Sequence, residues 1–86
     1  MGTMLFVSNL PLSATEDSLV TRFTRFGTVL SAKLNRDSVG QSQRSGFVEM
    51  KTAAEAQTAI NGLNLADYDG RLISVYKAVA TAAIRN

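Results

Sequence analysis

A chain of 86 residues with nine lysines and arginines against seven acids carries a net charge of only +2, which permits a polyanionic partner without demanding one. It has no cysteine and no histidine, so disulfides are excluded, zinc loses its commonest ligands, and acid–base chemistry near neutral pH falls to shifted carboxylates or lysines. At 45% hydrophobic with a single proline, it reads as one globular domain, with no apolar run near the roughly 20 residues that span a bilayer and no charged-then-apolar signal at its start.

Residues 4–8 read as a first strand, stopped at Asn9-Leu10-Pro11, where proline removes a backbone donor. Alternation sends Phe6 to one face and Leu5 and Val7 to the other. Thr15 is placed to cap a helix with Glu16 and Asp17 in its first turn; Leu19, Phe23 and Phe26 form its apolar stripe, and Gly27 ends it. A second strand over residues 29–35 is expected to show Val29, Ser31, Lys33 and Asn35 on one face and Leu30, Ala32 and Leu34 on the other. A polar loop with Gly40 at its turn leads to a third strand, from about Arg44 to Met50. Thr52 caps a second helix, whose small face is Ala53, Ala56, Ala59 and Ile60 and whose stop is Asn61-Gly62. A connection holding Leu63, Leu65 and Tyr68 ends in the tight turn Asp69-Gly70, and a last strand covers residues 72–77.

The order strand, helix, strand, strand, helix, strand predicts an α+β fold: a ferredoxin-like βαββαβ plait with a four-stranded antiparallel sheet and both helices on one face. The other face is left open, and Phe6 and Phe47 emerge there. Inverting that assignment would expose Leu5, Val7, Val48 and Met50, a worse exchange. A ring on an open sheet face needs a flat partner, and unpaired nucleobases are such partners.

These residues resemble the RNA recognition motif. Leu5-Phe6-Val7-Ser8-Asn9-Leu10 fits the family's strand-one hexamer, and Gln43 to Met50 occupies its strand-three octamer. Matches continue through Thr15-Glu16-Asp17, Leu19, Phe23, Phe26 and Gly27, then Ala53, Ala56 and Ile60-Asn61-Gly62-Leu63, then Gly70-Arg71, Ile73, Val75 and Ala78. The resemblance covers about residues 4–78 and leaves an alanine-rich tail, 79–86. It is similar to the small stand-alone members found in bacteria, cyanobacteria especially, which implies a cytoplasmic monomer.

The octamer departs from the family pattern at two places. Ser45 stands where the third exposed aromatic is usual, and Gln43 stands for the basic residue that would pair with a phosphate. Arg44 falls one place off and by parity points to the core side, so a bulge or slid register is expected there, because an arginine head is costly to bury unpaired. Losing one stacking ring removes about 1–3 kcal/mol. The domain then binds RNA weakly, binds only two bases firmly, or recruits another ring, for which Tyr76 on the last strand is the natural substitute.

The resemblance implies a single-stranded RNA-binding module, with single-stranded DNA as a second polymer to test. Phe6 and Phe47 would stack bases, and Lys33, Asn35, Arg44, Lys51 and Lys77 would form a rim, with Gln43, Ser45 and Glu49 also on the binding strand. Ser8, Asn9 and Ser74 are candidates for base edges. So few cations predict a shallow salt dependence, about two or three charges' worth. Arg22, Arg25 and Arg71 are expected on the helix side or in a turn. The alternative is a protein-interaction domain on the same fold, favoured by Ser45 and the low charge and opposed by the surviving rings. One peptide-binding subgroup carries an Arg-x-Phe loop where Arg71-Leu72-Ile73 stands here. Acylphosphatases share the plait, but Pro11-Leu12-Ser13 offers no arginine-bearing phosphate cradle, so no enzyme, cofactor or metal is expected.

Overall fold

Two threonines set where the helices begin. In the computed structural model of the chain, which describes residues 2–78, the Thr15 hydroxyl accepts from the Ser18 amide at 3.0 Å while the Thr15 amide donates to the Ser18 hydroxyl at 2.9 Å. That reciprocal cap opens α1 (Glu16–Thr24), and Thr52, accepting from the Glu55 amide at 3.1 Å, opens α2 (Ala53–Leu63). Each cap stabilises by about 1 kcal/mol. The strands are β1 (Thr3–Ser8), β2 (Val29–Arg36), β3 (Ser42–Met50), β4 (Asp67–Tyr68), β5 (Arg71–Leu72) and β6 (Ser74–Lys77). The main sheet runs β2-β3-β1-β6 with every neighbour antiparallel. Leu5, Val7, Leu34, Val48, Met50 and Val75 leave one face of it to pack with Leu19 and Phe23 of α1 and Ala56, Ala59 and Leu63 of α2. This is the expected plait, with the helices on one side and the other side uncovered. The tail 79–86 lies outside the described residues.

The last expected strand is two strands. Asp69 and Gly70, at φ +49° and +93°, turn the chain so that β5 pairs back on β4; both positive values are what a two-residue hairpin of this hand needs. Ile73 then exchanges hydrogen bonds with Leu65 and Ala66, and only from Ser74 does the chain join β1. Tyr68, assigned from sequence to a connection, is buried to 1% exposure: the Arg22 guanidinium lies 3.6 Å over its ring and its hydroxyl meets Ser18. Arg22 also pairs with Asp69 at 3.7 Å, so it belongs to the helix side as expected.

Four other expectations are corrected. Helix α1 ends at Thr24 rather than at Gly27. Helix α2 does not stop at Asn61-Gly62 but runs on to the buried Leu63. A methyl on the Gly62 α-carbon would meet the Phe26 ring, which would have to move aside; Ala53, placed on the packed face from sequence, is exposed. In β2 the alternation breaks, because Val29 pairs with Met50 and Ser31 with Glu49, which leaves Leu30 bulged between them. Val29 therefore packs on the core, while Leu30 is half-exposed.

β2 is an outer strand, and an outer strand presents unpaired amides. Here the Glu16 carboxylate accepts from the Leu34 amide at 3.0 Å and pairs with Arg36 at 3.4 Å. The Leu34 hydrogen bond, with smaller help from Arg36 and Lys33, holds this carboxyl below its ordinary 4.5, against a partial desolvation that pushes it up. Because the folded value is the lower one, the stabilisation is fully present above the unfolded value and is lost as pH falls through the folded value. Glu16→Gln should therefore narrow the gap in urea stability between pH 7 and pH 3. An equal gap in both proteins would mean that the Glu16–Leu34 bond contributes nothing to acid sensitivity.

Candidate nucleic-acid interface

Strand parity puts rings on the open face, and pairing register puts them in line. Phe6 pairs with Phe47 across β3 and with Tyr76 across β6, so the rings form one row perpendicular to the strands. The Phe6 and Phe47 centroids are 5.2 Å apart at 62°, and those of Phe6 and Tyr76 are 5.4 Å apart at 42°. Each such contact contributes about 0.5–1.5 kcal/mol beyond burial, which helps hold half-exposed rings in place. Tyr76 is 51% exposed. Lys33 pairs with Phe47 and extends the row onto β2.

A polar row flanks the rings on each side. Toward the β1 exit, Ser8 pairs with both Ser45 and Ser74, and the Asn35 amide nitrogen donates to the Ser45 hydroxyl at 3.0 Å. Toward the β1 start, Met4 pairs with Glu49 and Glu49 with Ser31; the Ser31 hydroxyl donates to the Glu49 carboxylate at 3.2 Å.

The bulge expected at Arg44 is present. Between Gly46 and Ser42 the β3 chain advances four positions where β2 advances two, from Leu34 to Arg36. Arg44 takes φ +60°, a strained conformation for a residue with a β-carbon, while its carbonyl accepts from the Leu10 amide at 2.9 Å. The result is a half-buried arginine outside the core. Gln43, beyond it, is exposed and lines an open cleft of about 460 Å³ with Glu16, Lys33, Asn35 and Arg36.

Two expected contacts move elsewhere. Lys77 pairs with Leu5 and shares the parity of Val75, which places it on the helix side of the sheet's outer edge rather than beside the rings. Asn9, at φ +63°, is occupied: its amide donates to the Leu72 carbonyl at 2.8 Å, and its side-chain oxygen and carbonyl take Arg71. It ties the β1 exit to β5 and is not free to read a base edge. Lys51 is exposed just past β3.

Sequence reasoning passed over Arg36 and used Gly46 only to align the octamer. Arg36 was missed because the second strand was ended one residue early; it joins the cleft beside Lys33. At Gly46 the backbone of β3 lies close against β2, since a β-carbon there would sit 2.6 Å from the Lys33 carbonyl oxygen. Its signal was the Gly-Phe-Val run itself. Among the described residues no group of three or more His, Cys, Asp or Glu is placed to hold a metal ion, and no helix is long and apolar enough to cross a membrane.

A plait with an aromatic row on its uncovered face defines a class of sheet-surface binding domains. Residues 5–74 match the model of the RNA recognition motif, and the chain belongs to that family. It is 40% identical over 75 residues to RbpA of Nostoc sp., named for RNA binding, covering 86% of this chain and 74% of that protein. It is 38% identical to an RNA-binding protein of Schizosaccharomyces pombe, covering 91% of this chain but 27% of the relative's length. Among solved structures, the Sxl-lethal protein/RNA complex matches with a TM-score of 0.81 and 35% identity, covering 88% of this chain and 47% of that one.

Proposed function

We propose that this chain binds single-stranded RNA, with Phe6 and Phe47 stacking successive bases and Tyr76 supplying the third ring. The observation that carries this is the row Lys33–Phe47–Phe6–Tyr76, three rings on one register line with a cation at its end. Family membership, the RNA-binding names of the relatives and the likeness to a protein/RNA complex support the same reading. The family and those names are of binding proteins, so the role assigned is binding and not catalysis. One copy presents the whole row, and the binding unit is the monomer.

Of the expected rim, Lys33 remains beside the rings, with Arg36 at the cleft and Arg44 half-buried at the bulge. Two or three phosphate contacts give a slope of log affinity against log salt of about −1.5 to −2 for a single strand. A slope twice as steep would mean that the helix-side cations also touch the polymer. The direct test is an NMR titration of labelled protein with a pool of short random single-stranded RNAs. Amides of β1 and β3 should move. If nothing shifts at millimolar RNA in moderate salt, the rings are not a base platform and a protein partner becomes the better reading.

A further inference from the structure

A carboxylate on a surface that takes a polyanion weakens binding by repulsion, so an acid that stands there needs a role of its own. Glu49 is that acid: of the β1, β2, β3 and β6 residues that share the parity of the rings, it is the only one with a carboxyl group. It is half-buried, and among the described residues it takes part in neither ion pair, Arg22–Asp69 or Arg36–Glu16. Resting on the RNA-binding reading above, we infer that Glu49, with Ser31 beside it, is a base-selecting site that favours guanine and disfavours uracil.

The site offers a ligand acceptors and no donor. The Ser31 hydroxyl donates to Glu49 Oε1 at 3.2 Å, and no other hydrogen bond holds this carboxylate among the described residues. The one polar hydrogen of the pair is thus spent on the carboxylate, and what remains outward is oxygen lone pairs, including a second one on Oε1. A phosphodiester is repelled from such a spot, while the cleft lined by Lys33, Arg36 and Gln43 opens on the Asn35 side of the ring row, away from Glu49. The charged backbone therefore keeps to that side, and the part of a nucleotide that comes over Glu49 is the uncharged edge of its base. Glu49 lies two residues from Phe47 on the same strand and face, about 6.6–6.8 Å along β3, within reach of a base stacked on that ring.

The four bases differ in what they bring to an acceptor-only site. Guanine presents two neighbouring donors, N1–H and the N2 amine, which match the two oxygens of one carboxylate. Adenine and cytosine each present one exocyclic amine beside a ring nitrogen that accepts. Uracil presents N3–H between two carbonyl oxygens, and those oxygens meet the carboxylate as like partial charges. The order of preference is therefore guanine, then adenine and cytosine, then uracil.

The test measures by fluorescence anisotropy the affinity of the chain for the RNA heptamers UGUGUGU, UAUAUAU, UCUCUCU and UUUUUUU, and for UIUIUIU, in which inosine removes only the N2 amine of guanine. The wild type should bind the guanosine heptamer about 5- to 150-fold tighter than the uridine heptamer, the discrimination of one bidentate base contact, and the inosine heptamer should fall between them. Glu49→Gln should bind the uridine heptamer tighter and the guanosine heptamer weaker, so that the preference is lost. Asp17→Asn, the same change of charge on an exposed residue of α1, should leave the preference intact. Equal affinity of the wild type for the guanosine and uridine heptamers, no loss with inosine, or a uniform tightening of all five RNAs by Glu49→Gln would each overturn the assignment, as would loss of the preference in Asp17→Asn. Failure of the wild type to bind any of the five would instead remove the RNA-binding reading, and this inference with it.

Discussion

Phe6→Ala is expected to weaken RNA binding by about 5- to 150-fold, the range set by about 1–3 kcal/mol for one lost stacking contact. The larger end is expected here because Phe6 is the middle ring, in contact with both Phe47 and Tyr76. Its removal deletes one platform and unsupports two others. Phe47→Ala, with one ring neighbour instead of two, should lose less. Fold should be kept in both, since neither ring belongs to the buried core. Affinity measured by anisotropy alongside circular dichroism separates the two effects. A folded Phe6→Ala protein that binds RNA within twofold of wild type would mean that the bases do not lie on this row.

Gly46→Ala should destabilise the domain by about 1–3 kcal/mol, the usual penalty for overpacking a well-packed site. The added methyl would meet the Lys33 carbonyl oxygen at 2.6 Å and the Leu34 α-carbon at 3.3 Å. The nearer atom is backbone and cannot swing aside as a side chain would, so β2 must move away from β3. For a domain of this length each 1 kcal/mol lowers the melting temperature by about 4–8 °C. The displacement acts on function too, because Lys33 sits opposite Phe47 at the end of the ring row. Thermal melts and an RNA titration below the new midpoint would read both parts. An unchanged melting temperature would show that the two strands tolerate a wider spacing.

Much of the ring-bearing face is legible in the sequence. Period-two alternation in residues 4–8 and 46–50 put Phe6 and Phe47 opposite to Leu5, Val7, Val48 and Met50, because burial of one face forces the other outward. Arg44 was legible for the opposite reason: parity would have buried it, and an unpaired guanidinium in a core is costly enough to demand a bulge. Lys77 was misplaced against its own parity, which puts it with Val75 and opposite to Tyr76; nothing local to residues 71–77 says that Arg71 and Leu72 pair with β4 instead of β1. Leu30 was misplaced by one extra residue in β2 between the Val29–Met50 and Ser31–Glu49 pairs, which alternation along β2 alone does not reveal.

Sequence by itself determined the order of the two helices and the four strands of the main sheet, the helix caps and which side of each regular strand meets the core. Those depend on side-chain spacing and on groups three or four residues apart. Tertiary structure decided what stands beside what: that Phe47, Phe6 and Tyr76 share one line, that Ser45, Ser8 and Ser74 share the next, that Tyr68 is core, and that Asn9 is occupied by β5. Register joins strands about 40 to 70 positions apart through backbone hydrogen bonds that any residue but proline can make, so it leaves little mark on local composition.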